Sequence, residues 1–132
     1  MRSVLLGTMV LVLAGCSNPV SPTQLVGSWD EAFNIPGSFR HMMLDTSTAS
    51  ELFGGGNFCG EAGPCGTFTV SGSTDGDAVH LQFSYSDGTT DQFDGVLINP
   101  ATLKGVETPK TPGSPSRDVT FQRAKTVIVP GV

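Results

Sequence analysis

The residues with the widest chemical scope are few: three cysteines, Cys16, Cys59 and Cys65, and two histidines, His41 and His80. Cys59 and Cys65 stand in the glycine-rich run NFCGEAGPCGTF, Asn57 to Phe68, with five residues between them. Such a pair could serve as a metal clamp, a redox couple or a covalent staple. Zinc asks for four ligands, and the two cysteines with both histidines would supply them only if the fold happened to gather distant segments. Thioredoxin-type redox chemistry uses a C-x-x-C ahead of a helix, whereas this spacing is longer and lies in a turn-like run. No serine or cysteine sits in a nucleophile-elbow or papain-like context, so hydrolase triads find no support. Asp75, Asp77, Asp87, Asp91 and Asp94 crowd two turns. Their spacing does not fit an EF-hand loop, which ends in a glutamate, and they are expected to cap their own turns. No catalytic set, cofactor or metal site is expected from these residues.

The compartment decides between the uses of the cysteine pair. The chain opens MRSVLLGTMVLVLAGC, with a cation at Arg2, an apolar run from Val4 to Leu13, and small residues before Cys16. That is the layout of a signal peptide, and the run falls short of the ~20 residues that span a bilayer. LAGC, Leu13 to Cys16, resembles the lipobox of bacterial lipoproteins. The resemblance implies that the leader 1–15 is removed, that Cys16 carries a diacylglyceryl thioether, and that its amino group is acylated. Two or three chains anchor firmly, since each buried methylene adds about 0.8 kcal/mol and one chain is marginal. Residues 16–24 then form the lipidated cysteine and an extended tether, SNPVSPTQ, with two prolines. Ser17 replaces the aspartate that retains many lipoproteins in the inner membrane. The expected location is the outer membrane of a bacterial envelope, facing periplasm or surface. With Cys16 consumed, Cys59 and Cys65 are left as two thiols in an oxidising compartment, where a disulfide is the expected outcome.

Charge narrows the partners. The chain has 7 Lys and Arg against 12 Asp and Glu and no basic cluster, which argues against nucleic acid. Removal of the leader takes Arg2 away and leaves the mature protein more acidic still, so anchoring must come from the lipid rather than from charge.

The elements that must position these residues read as strands. A length of 132 residues suits one domain, and a charged fraction of 14% with abundant glycine favours strands and turns over helices. Val79, Leu81, Phe83 and Tyr85 alternate with His80, Gln82 and Ser84, and Asp87-Gly88 supplies a tight hairpin turn. Leu25, Trp29 and Phe33 share one parity, as do Phe39, His41 and Met43, with Met42 and Leu44 on the opposite face. Further runs lie near Ala49 to Phe58, Phe68 to Val70, Phe93 to Leu97, Leu103 to Val106, and Val119 to Phe121. The expectation is an all-β, monomeric, up-and-down antiparallel barrel of about eight strands over residues 25–124, with an open β-sandwich as the alternative. Residues 125–132 form a C-terminal tail.

Gly27-Ser28-Trp29 at the head of the first strand resembles the G-x-W signature of lipocalin-like (calycin) barrels, and Arg123 on the last strand occupies the place of that family's closing arginine. The resemblance implies a guanidinium stacked on the Trp29 ring at the closed end, and a cup at the other. The barrel is short for that family, so the cup should be shallow. If all eight phenylalanines pointed inward they would fill it. Phe39, Met42, Met43, Phe83, Tyr85 and Phe93 are the candidate lining. The expected function is an exported, lipid-anchored binding protein holding a small apolar ligand. The alternative is an envelope protein-interaction or inhibitor module with a filled barrel, touching its partner through the loops 54–66 and 108–116.

Overall fold

Alternating runs broken by Gly, Asp and Asn turns fold into eight antiparallel strands in the computed structural model, which describes residues 19–32, 38–47, 50–60, 63 and 65–124. They are β1 (Gly27–Glu31), β2 (Phe39–Thr46), β3 (Glu51–Cys59), β4 (Cys65–Asp75), β5 (Ala78–Tyr85), β6 (Thr90–Asn99), β7 (Thr102–Pro109) and β8 (Arg117–Arg123). Each pairs with its sequence neighbour, and β8 returns to β1 through Trp29 opposite Arg123 and Glu31 opposite Phe121. The sheet is therefore a closed up-and-down barrel, and the open sandwich is excluded. The leader, Cys16, Phe33 and the tail 125–132 lie outside the described residues.

Alternation sends every second side chain inward. Val79, Leu81 and Phe83 of β5 are fully buried, and Phe93, Leu103 and Phe121 join them from β6, β7 and β8. Phe68, Phe83, Phe93 and Phe121 touch ring to ring across the interior, with centroids 5.5 to 6.1 Å apart. Each such burial contributes about 1.5–3 kcal/mol, so these rings hold the barrel together by filling it.

The same alternation corrects two expectations. Met42 is buried but Met43 is 53% exposed, because neighbours on one strand face opposite sides of the wall. Met43 therefore lines no interior. Phe53 lies on the outer wall, and Phe39 is 41% exposed at the start of β2, so the phenylalanines do not all pack inside.

A glycine-bearing strand, β3, stays regular because the barrel needs it. A Cβ on Gly56 would fall 1.8 Å from the His41 carbonyl oxygen of β2 and 2.8 Å from the Phe68 ring. The β2–β3 and β3–β4 registers run unbroken through Gly56, and only glycine permits so close an approach.

One end is shut by a 3-10 helical turn, Pro22–Leu25, capped at Ser21, whose backbone N–H donates to Gln24 Oε1 at 2.8 Å. Pro22 and Leu25 are buried, and Val20 N–H donates to Gly76 O at 2.8 Å. Residues 20–24, expected within an extended tether, instead belong to the barrel floor. Leu25 draws them in because its apolar side chain completes the core beneath Trp29.

Candidate functional site

At the closed end, the indole N–H of Trp29 donates to Leu25 O at 2.9 Å, and the Arg123 guanidinium lies over the ring, 4.3 Å from its centroid. Arg123 also donates to the carbonyls of Val26 at 2.7 Å, Pro100 at 3.2 Å and Gln24. Gly27 has φ +127°, and a Cβ there would meet Arg123 Nη1 at 2.9 Å. The Gly27, Trp29 and Arg123 triplet is thus one structural unit: the glycine makes room for the guanidinium that covers the tryptophan.

The opposite end is polar inside. Continuing the inward parity beyond the apolar set, by two residues from Trp29, Met42 and Val119 and by four from Leu103, brings in Glu31 from β1, Arg40 from β2, Arg117 from β8 and Glu107 from β7, with Tyr85 and Asp91 beside them. Glu31, Arg40 and Glu107 are 8%, 3% and 1% exposed. Arg40 donates from Nη1 to Glu107 Oε2 at 2.9 Å and from Nη2 to Glu107 Oε1 at 2.8 Å, and its Nη1 also reaches the Tyr85 hydroxyl at 2.6 Å. Tyr85 in turn donates to Glu107 Oε2 at 3.3 Å. Arg117 bridges the two glutamates, 2.8 Å to Glu31 and 3.0 Å to Glu107. Glu31 Oε1 lies 2.7 Å from Arg40 Nη2 without hydrogen-bond geometry, and Arg40 Nε is buried with no acceptor. Beneath, the Arg40 guanidinium rests on Phe83 and Phe121, 4.8 and 5.0 Å from their centroids.

Electrostatics follow from this crowding. Burial opposes the Arg40 charge, but Glu107 and Glu31 more than offset it and hold the guanidinium above its ordinary pKa. Burial also pushes Glu107 upward, yet hydrogen bonds from Arg40 and Asp91 bring it down to about 2. Asp91 is pushed up to about 7 by burial and by its hydrogen bond to Glu107, against the pull of Arg40 and Arg117. The protonated Asp91 is the donor in that bond. Burial raises the Tyr85 hydroxyl well above its usual range, so it remains neutral.

Above this floor opens a cleft of about 350 Å³. Phe39, Phe58 and Tyr85 give it aromatic walls, Arg40 and Arg117 its base, and Ser38, Asp87 and Thr89 its rim. Phe58 meets Tyr85 edge to face at 5.4 Å. Cys59 and Cys65 are directly opposed across β3 and β4 and disulfide-bonded, with Cα atoms 4.0 Å apart, and Cys59 borders the cleft with Gly60. The staple therefore shapes the mouth.

Of the candidate lining, Tyr85 and Phe39 reach the cleft, whereas Met42, Phe83 and Phe93 lie in the packed interior below it. His41 and His80 sit on the outer wall, paired with Asp30 at 2.6 Å and Asp94 at 2.7 Å. Among the described residues no group of His, Cys, Asp and Glu is placed to hold a metal ion. Asp87 caps its turn, accepting from Thr89 N–H at 2.9 Å. Asp91 and Asp94 do not share that role, since one faces Glu107 and the other His80. The charged floor escaped the sequence reading. Its only signal is parity: Arg40 stands two before Met42, Glu31 two after Trp29, Glu107 four after Leu103 and Arg117 two before Val119.

No protein-family model matches the chain, and no curated protein matches it in sequence. Solved structures do. It is similar to a redesigned beta barrel at 16% identity and TM-score 0.66, covering 79% of this chain and 95% of that one. It is similar at 13% identity and TM-score 0.65 to the redesigned beta barrel mFAP1 bound to DFHBI, covering 78% and 97%. A third likeness is to EF1p2_mFAP2b bound to DFHBI, at 11% identity and TM-score 0.63, covering 77% and 95%. At these identities the likeness establishes the small β-barrel fold.

Proposed function

We propose that the chain is an exported, lipid-anchored β-barrel binding protein of the bacterial cell envelope, tethered through Cys16 and holding a small apolar ligand at its open end. The observation that carries this reading is the cleft walled by Phe39, Phe58 and Tyr85, in a barrel whose remaining interior is filled. A concave aromatic surface with a few convergent polar groups is the usual form of a small-molecule site. Barrels of this fold can carry small ligands, as the two bound to DFHBI illustrate. The leader and LAGC support the anchor, and the Cys59–Cys65 disulfide agrees with an oxidising compartment. The Trp29 and Arg123 stack supports a lipocalin-like kinship.

Two measurements test this. Native mass spectrometry of the protein, purified with its own leader processed, should find a copurified small molecule, or uptake of one from a panel of apolar compounds. A barrel that carries none and takes up none overturns the ligand reading. Labelled palmitate should enter the wild type and not Cys16→Ser; label in both overturns the anchor.

A second reading, an envelope protein-interaction or inhibitor module without ligand, draws on Met43 and Phe53, 53% and 47% exposed on the adjacent outer faces of β2 and β3. An empty barrel that crosslinks to one envelope protein through those strands, and no longer does so in Met43→Ser, would favour it.

A further inference from the structure

We infer that the open-end cleft selects an uncharged, flat aromatic molecule bearing one hydrogen-bond acceptor. This rests on the small-ligand reading above and narrows it by charge and shape.

The floor of the cleft sets its charge preference. Two guanidiniums, Arg40 and Arg117, face two carboxylates, Glu31 and Glu107, and all four are joined by contacts of 2.7 to 3.0 Å. This set is balanced, and Glu31, Arg40 and Glu107 are already desolvated, while the Arg117 side chain is 48% exposed. A ligand with a net charge would break that balance beside three buried charges, which is costly. Tyr85 and a protonated Asp91 add hydrogen bonds to the floor without adding charge.

An anion would also find the Nη1 and Nη2 groups of Arg40 and Arg117 bonded to Glu31 and Glu107, and would meet Asp87 at the rim. A cation would find aromatic faces, which attract it, but also Arg40 and Arg117 directly beneath. A neutral molecule meets neither opposition. Arg40 Nε is a buried donor without an acceptor, on a residue that borders the cleft. A carbonyl oxygen on the ligand would satisfy it.

Shape follows from the walls. Phe58 and Tyr85 present rings edge to face, and Phe39 stands beside the Cys59 disulfide. Flat rings pack on such surfaces, and about 350 Å³ is near the lower end for small-molecule sites, so a fused bicycle is the right scale.

Isothermal titration of the purified protein at pH 6 with four matched probes tests the inference: 2-naphthamide, 2-naphthoate, 2-naphthylmethylammonium and 2-methylnaphthalene. The amide should bind about tenfold more tightly than either ion, and more tightly than the hydrocarbon. Phe39→Ala should weaken amide binding, and because Phe39 is 41% exposed the barrel should keep its fold. Either ion binding best, or the hydrocarbon matching the amide, overturns the selectivity while leaving the cleft a ligand site. No probe binding, or amide binding indifferent to Phe39→Ala, overturns the cleft itself as the site.

Discussion

Arg40 grips Glu107 with both ends of its guanidinium, at 2.9 and 2.8 Å, inside a barrel where each residue is all but sealed from solvent. The pair joins β2 to β7 across the interior, strands that do not neighbour each other in the sheet. It converts the upper barrel from apolar packing to a charged platform, and the cleft owes its floor to it.

Removing one partner of that pair should be severe. Arg40→Met is expected to cost about 3–5 kcal/mol, because Glu107 and Glu31 would stay buried with only Arg117 to answer them. The double variant Arg40→Met with Glu107→Gln should lose clearly less than the sum of the two single changes. Urea denaturation of the four proteins in a cycle measures this.

The Asp91 carboxyl gives stability a pH dependence. Its folded value of about 7 lies above the 3.8 of a free aspartate, so the native state holds the proton longer. As pH rises between those values this group's contribution to stability falls, and above about 7 it is level. Asp91→Asn mimics the protonated form, so its stability relative to wild type should climb from pH 4 to 7 and then flatten. Glu107, lowered to about 2, acts in the opposite sense and only in acid. Thermal melts of both proteins across pH give the difference directly.

The closed end can be tested through the only tryptophan. Arg123→Met removes the stack on Trp29 and the bonds to Val26 and Pro100, and should cost about 2–3 kcal/mol. Intrinsic fluorescence should report both the lower melting point and a changed Trp29 environment. A Tm within error of wild type would mean the guanidinium does not close the barrel.

Opening the staple should matter more to the cleft than to the fold. Replacing Cys59 and Cys65 together by serine is expected to cost about 2 kcal/mol, the loop entropy of so short a closure. Affinity for 2-naphthamide should fall as well, because Cys59 and Gly60 border the cleft. Denaturation and titration of one preparation separate the two effects.

Two glycines should differ for different reasons. Gly56→Ala drives a methyl into the His41 carbonyl and should cost more than about 3 kcal/mol or prevent folding. Gly76, at φ +61° with open space around it, should cost only about 1–2 kcal/mol on replacement by alanine. Circular dichroism melts rank them.

The sequence alone carried the strand content, because alternation such as Val79, Leu81, Phe83 and Tyr85 is a local pattern that a two-residue period reveals. The resemblance to G-x-W barrels pointed to Gly27, Trp29 and Arg123 as a set, and the expected export pointed to the two cysteines as partners. Which face of β2 turns inward was not local: Met42 and Met43 are equal until the barrel closes and burial chooses between them. Nor could the charged platform be seen. Glu31, Arg40, Glu107 and Arg117 look like solvated strand ends, and the first three become an interior, with half-exposed Arg117 against them, only because closure of β1 on β8 brings four distant strand ends around one axis. A charge is tolerated there solely by its partners from other strands, and that pairing exists in three dimensions and nowhere along the chain.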